Sequence, residues 1–267
     1  MKFSIIGTGA IMPKHKDAIE SIGGKIIDII DIIQGENAWK EMVKNTEADY
    51  IVILSPNYLH FEMALEATRA GKKVICEKPL AINSRDAKKL FEYENIFTVL
   101  QLRHHPDIKK LRSELNNNEN HEIKLYIGVH RNEDYFKTWK GNSEKSGNIL
   151  FNLGIHYFDL IIYLFGEPEE IITENIEERR GKGTIKGRNY TCDWEISANE
   201  SKENQKRYFK INGKNYDLIQ KENLHRYVYE DLLQGKGITP NEAIKSIRLV
   251  EKLYESAAIR SIIKLDK

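Results

Sequence analysis

Short apolar runs alternate with amphipathic segments through the first hundred residues. Strands are predicted at 2–6, 25–31, 49–54, 73–76 and 96–102. Helices are predicted between them at 13–21, 36–45, 60–70 and 84–94. This alternation predicts a parallel, doubly wound sheet. Ligands bind such a sheet at the carboxyl ends of its strands, which here are Gly7, Asp31, Ser55, Glu77 and Arg103.

The pattern changes after residue 103. Segments 122–130, 190–197 and 205–211 alternate apolar and polar residues with a period of two, as in an antiparallel sheet with one exposed face. Segment 149–164 has the pattern of a strand end that leads into a buried helix, and segment 241–263 has apolar residues at helical spacing. We therefore expect an α/β protein: a doubly wound Rossmann domain at 1–103, followed by an α+β domain with a mainly antiparallel open sheet at 104–267.

Composition excludes several classes of protein. The 41 Lys and Arg residues nearly balance 40 Asp and Glu residues, which argues against nucleic-acid binding. Two cysteines cannot form a disulfide framework, and they favour the reducing cytoplasm. The most apolar stretch, 151–165, is shorter than the ~20 residues of a membrane span and contains polar residues, so no membrane partner is expected. No cluster has the spacing of metal ligands, so no metal is expected.

A glycine-rich loop follows the first predicted strand. Its residues are Gly7, Thr8, Gly9, Ala10, Ile11 and Met12. Such a loop lets a pyrophosphate approach the start of the next helix, although Met12 stands where a small residue is expected. Asp31 ends the second strand, where a carboxylate binds the adenosine ribose and favours NAD over NADP. The alternative is an ordinary glycine turn, with Asp28 as a rival acid.

Polar residues also follow the third and fourth predicted strands. They are Ser55, Pro56, Asn57, His60, Glu77 and Lys78. Their position at the carboxyl ends of strands predicts contacts with the cofactor. The alternative is a turn with a helix cap at the third strand and a solvated lysine at the fourth.

Four motifs in order carry a resemblance to a known family. They are Gly-x-Gly at residue 7, Pro-Asn-x-x-His at 56, Glu-Lys-Pro at 77 and Asn-x-Gly-x-His at 152. This series resembles the glucose–fructose oxidoreductase / inositol dehydrogenase family of NAD(P)-dependent sugar oxidoreductases. The resemblance implies that Lys78 and His156 flank the nicotinamide and substrate, with Asn152 at a position that is often Asp.

Segments 101–106, 138–141, 146–156 and 223–225 are similar to a narrower group, the UDP-N-acetylglucosaminuronate 3-dehydrogenases of O-antigen lipopolysaccharide synthesis. Those enzymes oxidise the C3 hydroxyl, and some reoxidise their cofactor with 2-oxoglutarate. The resemblance adds Gln101 to the expected cofactor contacts. It also implies a homodimer or homotetramer formed through the second-domain sheet. The chain departs from the group at Met12, in its short connection from 31 to 49 and in a compact segment 171–208.

The chemistry of alcohol oxidation assigns roles to these residues. His156 can accept the hydroxyl proton, Lys78 can stabilise the developing alkoxide, and Asn152 can orient either group. Substrate contacts are expected from the cationic, histidine and tryptophan side chains Arg103, His104, Arg131, Trp139, Lys140 and His225. Each also has a plain structural alternative as a core or loop residue.

We expect NAD-dependent oxidation of a UDP-linked N-acetylated hexose or uronic acid. Three alternatives stay open: a dehydrogenase for a free sugar or inositol, an NAD-dependent glycoside hydrolase, and a non-catalytic NAD sensor. The presence of both Lys78 and His156 argues against the sensor, since a sensor needs neither.

Overall fold

The computed structural model describes residues 1–116, 118–218 and 223–265, and the chain divides into two compact units. The first unit is Met1–His105 with Lys221–Ile244, and the second is Pro106–Gln220 with Lys245–Lys267. The predicted boundary at residue 103 lies two residues from the first break. The prediction that 104–267 forms one domain is wrong for the described residues 223–244, which belong to the first unit.

Five parallel strands form the sheet of the first unit, in the order β2-β1-β3-β4-β5. They are β1 (Lys2–Ile6), β2 (Lys25–Ile30), β3 (Tyr50–Ile53), β4 (Lys73–Glu77) and β5 (Ile96–Val99). The connections carry α1 (Met12–Ser21), α2 (Ala38–Asn45), α3 (His60–Arg69) and α4 (Ser84–Lys88). This confirms the doubly wound sheet. The strand order reverses between β1 and β3, which places the expected ligand edge after these strands.

Helix α4 and strand β5 are shorter than predicted. Asn83 caps α4, and its side chain accepts the Asp86 N–H at 2.8 Å. After Lys88 the backbone N–H groups bond three residues back, so the helix tightens into turns instead of reaching residue 94. A 3₁₀ turn at Gln101–His104 replaces the predicted end of β5.

The core of the first unit includes a helix from the C-terminal part of the chain. This helix, α9 (Leu224–Leu233), contributes Val228, Tyr229 and Leu232 to the cluster that contains Phe3 and Ile19. The Tyr229 ring packs edge-on to Phe3, with centroids 6.0 Å apart. The apolar side of α9 therefore explains why the described residues 223–244 belong to this unit.

Seven strands form the sheet of the second unit, in the order β11-β10-β6-β9-β8-β7-β12. They are β6 (His121–Gly128), β7 (Glu170–Ile176), β8 (Arg180–Gly187), β9 (Tyr190–Ser197), β10 (Lys206–Ile211), β11 (Lys214–Tyr216) and β12 (Ile263–Lys264). All neighbours are antiparallel except β6 and β9. The mainly antiparallel sheet is therefore confirmed. The helices here are α5 (Pro106–Glu114), α6 (Glu133–Lys137), α7 (Ser143–Ser146), α8 (Ile155–Phe165) and α10 (Pro240–Ile259), whose first turn lies in the first unit.

Helix α8 is a core helix of the second unit. Phe158 packs edge-on to Trp194 of β9, with centroids 5.3 Å apart. A side chain at Gly154 would lie 2.7 Å from Ile196, so glycine lets the start of the helix approach the sheet. The apolar stretch Ser143–Phe165 could cross a membrane by length and composition, but 61% of its most apolar window is buried within the protein.

Candidate functional site

The loop after β1 is joined to the residue after β2. Gly7 has a φ of +108°, and its N–H donates to the Ile30 carbonyl at 2.8 Å. A side chain at Gly7 would lie 2.7 Å from the Leu54 carbonyl oxygen, so glycine is required here. The Asp31 carboxylate accepts the N–H and the hydroxyl of Thr8 at 2.7 and 2.6 Å. The glycine loop and Asp31 therefore form one connected structure.

A 3₁₀ turn at Ile32–Gln34 also fixes Asp31. The carboxylate accepts the Ile33 N–H at 3.3 Å, and the Gln34 side chain accepts the Asp31 N–H at 2.7 Å. Partial burial opposes ionisation, but hydrogen bonds from Thr8 and the turn hold the pKa of Asp31 below its ordinary value. Asp31 is therefore an oriented anion, which can accept hydrogen bonds from ribose hydroxyls and repel a 2′-phosphate.

The residues at this edge fit a dinucleotide. A side chain at Gly9 would meet no atom within 4 Å, so the space beside this glycine is open to a phosphate. Helix α1 begins directly afterwards with Pro13 in its first turn, and its N-terminus carries the positive end of the helix dipole. Met12 is half-buried and packs against the core of the unit, which explains how the loop tolerates it.

His60 ties the ends of β3 and β4 together. Its ring is 1% exposed, and its two nitrogens lie 2.8 Å from the Ser55 carbonyl oxygen and 2.7 Å from that of Pro79. Burial lowers the pKa of His60, so the neutral ring donates to one carbonyl at a time. The predicted cofactor contact of His60 is wrong because both nitrogens face backbone groups. Ser55 and Asn57, also at this edge, are buried.

Glu77 lies at the centre of a buried polar group that we call the Glu77 cluster: His15, Glu77, His225 and Tyr229. Glu77 Oε1 lies 2.9 Å from His15 Nε2 and 3.3 Å from His225 Nε2. His15 Nδ1 lies 2.9 Å from the Tyr229 hydroxyl. The other carboxylate oxygen accepts the Lys78 N–H at 3.2 Å. The cluster therefore joins α1, the end of β4 and α9, and it contacts the backbone of Lys78.

The cluster holds Glu77 ionised. Burial opposes this, but hydrogen bonds from His15 and His225 keep the pKa of Glu77 well below its ordinary value. Burial lowers the pKa of His15, which favours its neutral ring. His225 is completely buried and faces Glu77. The predicted substrate contact of His225 is therefore wrong; its nitrogens serve the interior of the first unit.

The 3₁₀ turn after β5 points its side chains into the same unit. Gln101, Arg103 and His104 are all buried. His104 Nδ1 lies 2.6 Å from an Asp231 carboxylate oxygen of α9. This bond involves only one ring nitrogen, so the substrate contact of His104 stays a prediction. Arg103 donates to Glu242 at 3.2 Å. A guanidinium has five N–H donors, so the substrate contact of Arg103 stays a prediction.

In the second unit, Asn152 and His156 lie on a helix that begins with a π turn. The turn spans Leu150–Gly154, and α8 continues from it. Asn152 donates to the Lys140 carbonyl at 3.2 Å. Asn152 and His156 are both half-buried, so each retains access to solvent. Single π turns inside helices occur frequently at functional sites, which agrees with the predicted roles of these residues.

An open cleft in the same unit gathers positive charge, and we call it the cation cleft. Its volume is about 390 Å³, and its lining residues are His130, Arg131, Asn132, Tyr135, Lys140 and Lys202. The guanidinium of Arg131 and the ammonium of Lys140 lie 5.2 and 5.0 Å from the centre of the Tyr135 ring. Trp139 is half-buried and adjoins Lys140, whose ammonium is 5.7 Å from its ring.

No carboxylate of the described residues neutralises the two central cations of the cleft, Arg131 and Lys140. Burial and the nearby charge of Arg131 lower the pKa of Lys140. Arg131 donates to the His130 carbonyl at 3.0 Å, but its buried Nε has no hydrogen-bond partner among the described residues. In the described part of the chain, neither cation forms an ion pair with a carboxylate. A bound anion would relieve this repulsion, so the cleft fits an anionic ligand.

The structure therefore separates the predicted residues into groups. It joins Thr8 to Asp31 in the first unit, and it brings Lys140 to Arg131 and Asn152 in the second. The sequence patterns did not indicate His15 or Tyr135 as functional residues. The position of His15 on the apolar side of α1 could have indicated a buried polar contact. For Tyr135, the only indication was its spacing of four residues from Arg131, which is the spacing of neighbours on one side of a helix.

Comparisons with known proteins identify the family of both parts of the chain. Residues 1–96 match a family described as the oxidoreductase family with an NAD-binding Rossmann fold. Residues 120–227 match the C-terminal alpha/beta domain of the same oxidoreductase family. These matches confirm the predicted family, the two fold types and NAD as the cofactor.

A similar curated protein is the glucose-6-phosphate 3-dehydrogenase of Bacillus subtilis, 30% identical over 67% of this chain and 57% of that protein. The chain thus spans little more than half the length of this relative. A similar solved structure is the WlbA (WbpB) dehydrogenase of Thermus thermophilus in complex with NAD and UDP-GlcNAcA. It has 26% identity, a TM-score of 0.84, and coverage of 100% of this chain and 96% of that chain. The same dehydrogenase with NAD and alpha-ketoglutarate aligns over 95% of this chain and 94% of that chain, again with 26% identity and a TM-score of 0.84.

Proposed function

The chain belongs to this family of NAD-binding oxidoreductases, and from that premise we propose that it oxidises a ring hydroxyl of a UDP-linked N-acetylhexuronic acid. The observation that carries the proposal is the cation cleft, with the un-neutralised Arg131 and Lys140. A UDP-sugar brings a diphosphate and a uronate adds a carboxylate, both of which suit a guanidinium fork. The Thermus thermophilus relative binds a ligand of this kind, UDP-GlcNAcA.

The chemistry needs a hydride acceptor, a base and a positive group near the reacting oxygen. Bound NAD supplies the hydride acceptor. His156 takes the hydroxyl proton, since an imidazole titrates near neutral pH. Lys78 binds the hydroxyl oxygen and stabilises its negative charge as the proton leaves. Asn152 orients the sugar or the imidazole. The products are a ketone and the reduced cofactor. The ketone is placed at C3 by analogy with the UDP-N-acetylglucosaminuronate 3-dehydrogenases.

The first unit would hold the cofactor through residues already oriented in the structure. Asp31 accepts the adenosine ribose hydroxyls, and the loop at Gly9 with the start of α1 receives the pyrophosphate. The proposal extends to reoxidation of the cofactor by 2-oxoglutarate, a cytoplasmic location and a homo-oligomer. A UDP-linked N-acetylhexuronic acid substrate would place the chain in surface-polysaccharide synthesis, as in the group of dehydrogenases that it resembles.

The first experiment identifies what the purified protein contains and oxidises. The protein is denatured and any released nucleotide is identified by mass spectrometry. Absorbance of the reduced nicotinamide is then followed after addition of UDP-N-acetylglucosaminuronate, with and without 2-oxoglutarate. Released NAD(H) and an absorbance change that depends on the sugar would support the proposal. NAD binding without any response to the UDP-sugar would reject the substrate and retain the cofactor.

A phosphorylated free sugar is the second candidate, because the Bacillus subtilis relative acts as a glucose-6-phosphate 3-dehydrogenase. Its phosphate would suit the same two cations. Glucose 6-phosphate is therefore the second substrate in the assay, and unphosphorylated glucose and inositol are the uncharged controls. Faster turnover of glucose 6-phosphate than of the UDP-sugar would make this candidate the better one.

A further inference from the structure

We propose that the Glu77 cluster holds one additional proton as an imidazolium at His225, and that His225 is a positioning residue for the turn Glu77–Lys78–Pro79. The protonation follows from hydrogen-bond geometry within the first unit alone. The positioning role rests on the proposed function, because it gives Lys78 its importance.

Asn223 determines the protonation of one ring nitrogen. Its Nδ2 donates to the Lys14 carbonyl at 2.8 Å, and its Oδ1 accepts the His225 backbone N–H at 3.2 Å as the cap of α9. The amide therefore cannot be turned over without losing both bonds. The same Oδ1 lies 3.2 Å from His225 Nδ1. An amide oxygen only accepts, so Nδ1 carries a proton.

Glu77 determines the protonation of the other ring nitrogen. His225 Nε2 lies 3.3 Å from Glu77 Oε1. If this nitrogen had no proton, its lone pair would face a carboxylate in a buried place, which is unfavourable. With a proton on Nε2 as well as Nδ1, His225 is a cation paired with the Glu77 anion. The pair then leaves no net charge buried.

His15 completes the arrangement as a neutral ring. The Tyr229 hydroxyl can donate to Nδ1 at 2.9 Å, while Nε2 donates to Glu77 at 2.9 Å. The His15 and His225 rings are in contact, with centroids 4.6 Å apart, so two adjacent cations would repel. The groups facing His225 are thus the Glu77 anion from β4, the neutral His15 from α1 and the neutral Asn223 amide.

The cluster and His60 hold the two sides of one short turn. Glu77 is fixed by His15 and His225, the Lys78 N–H donates to the Glu77 carboxylate, and His60 reaches the Pro79 carbonyl. Lys78 lies between these fixed residues. Removing the charge of His225 weakens one support of the turn without touching Lys78. A displacement of about 1 Å at a reacting group can cost roughly a hundredfold in rate.

A metal ion is the chemical competitor for this proton. His15, Glu77 and His225 each offer a ligand atom, and these atoms lie within 4.8 Å of one another. A metal would take the lone pairs of both Nε2 atoms, so His15 Nδ1 would then have to donate to Tyr229. The proton and the metal therefore predict different protonation of His15 and His225, which NMR can measure.

The first arm of the test uses the unaltered full chain. Uniformly ¹⁵N-labelled protein is studied by long-range ¹H–¹⁵N correlation between about pH 6 and 8, where a free histidine titrates. Assignment comes from through-bond experiments. We expect both nitrogens of His225 to be protonated throughout and only one nitrogen of His15. A neutral His225 at pH 7, or one zinc ion per chain by elemental analysis, would overturn the proposal.

The second arm tests positioning with His225→Gln, which removes the charge and keeps a polar side chain. The control is His121→Gln, at a buried histidine of the second unit. We expect hydrogen–deuterium exchange of the Lys78 amide to quicken only in His225→Gln. With the sugar substrate, kcat should fall about 10- to 100-fold while KM changes little. If His225→Gln lowers the melting temperature but leaves the Lys78 amide exchange and kcat unchanged, His225 has only a structural role and the proposed positioning role is rejected.

The two proposals fail in distinguishable ways. If the unaltered chain oxidises no sugar, the proposed function fails. The NMR and amide-exchange results still show whether His225 is protonated and whether it supports the turn Glu77–Lys78–Pro79. If the sugar is oxidised and His225 is neutral, the proposed function stands and the inference about the cluster is wrong.

Discussion

In the first unit, the polar groups around Glu77 are matched with one another, whereas in the second unit Arg131 and Lys140 repel each other beside an open cleft. The cost of burying Glu77 is offset by two imidazoles. The corresponding cost at Lys140 is offset by aromatic rings but by no carboxylate in the described part of the protein. The same chain thus contains one electrostatically complete region and one incomplete region.

This difference separates residues that position from residues that bind. A satisfied buried network makes its surroundings rigid, because losing any member leaves another group without its partner. An unsatisfied pair of cations gains free energy when an anion arrives, so it favours binding. Substitutions in the two regions should therefore change different measured quantities.

The largest expected effect is on turnover, from the residues that would act on the substrate itself. Replacing His156 by alanine should lower kcat by about 10²- to 10⁴-fold, because the base is lost. Lys78→Ala should be comparably severe, since the alkoxide loses its cation. NAD affinity, measured by fluorescence titration, should stay nearly unchanged in both. Lys88→Ala, at an exposed lysine of α4, is the control. Normal turnover by either active-site variant would reject its assigned role.

The next largest effect is on the stability of the fold, and it tests the Glu77 cluster. Glu77→Gln should lower the free energy of unfolding by about 3–5 kcal/mol, because an imidazolium loses its buried anion. Chemical denaturation measures this loss. Glu122→Gln, at an exposed glutamate, should change it by less than about 0.5 kcal/mol.

Acid unfolding tests whether Glu77 is ionised in the folded protein. The pKa of Glu77 is lowered in the folded state, so its stabilisation is complete above the unfolded value of about 4.3 and is lost as the pH falls through the folded value. The unaltered chain should therefore lose more stability than Glu77→Gln between about pH 5 and 3. Parallel acid profiles of the two proteins would contradict an ionised Glu77.

Substitutions in the cation cleft should change the affinity for the substrate. Arg131→Gln or Lys140→Gln should raise the KM for an anionic sugar by about 10- to 100-fold, equivalent to roughly 1.4–2.8 kcal/mol. The dissociation constant of NAD should not change. Lys124→Gln, at an exposed lysine outside the cleft, is the matched control. If the two cleft variants keep the KM of the unaltered chain, the cation cleft is not the substrate site.

The smallest expected effect concerns the choice of cofactor. Asp31→Ser removes the carboxylate that favours NAD, and it should weaken NAD relative to NADP by about tenfold, near 1.4 kcal/mol. Fluorescence titration with both nucleotides measures the ratio. Glu36→Ser, at an exposed acid five residues later, is the control. An unchanged ratio would remove Asp31 from cofactor selection.

The sequence predicted the parts of the fold that have strong local patterns. The alternation of strands and helices up to residue 103, and the period of two in β6, β9 and β10, match observed elements. The return of α9 to the first unit was not predictable from pattern, because an apolar helix face does not specify which core it joins. Helix α4 was overestimated because the residues after Lys88 are compatible with both a helix and successive 3₁₀ turns.

The candidate site was predicted unevenly for a similar reason. Gly7 and Asp31 follow from strand ends, which are local features. Contacts among His15, His225 and Tyr229 form only in the folded unit. The short motif that contains His225 therefore suggested a substrate contact, whereas in the structure His225 contacts buried residues of the first unit. The lowered pKa of Lys140 likewise depends on burial and on Arg131, which spacing along the chain does not reveal.

The return of α9 has a consequence for how the protein is made. His15 is synthesised 214 residues before Tyr229, its buried partner. At roughly 5–20 residues per second, the nascent N-terminal segment waits on the order of ten seconds or more for α9 to leave the ribosome. Until then the surface of Phe3 and Ile19 that α9 covers is open to chaperones or to other nascent chains. A nascent chain that stops before residue 224 therefore carries a first unit whose core lacks Val228, Tyr229 and Leu232.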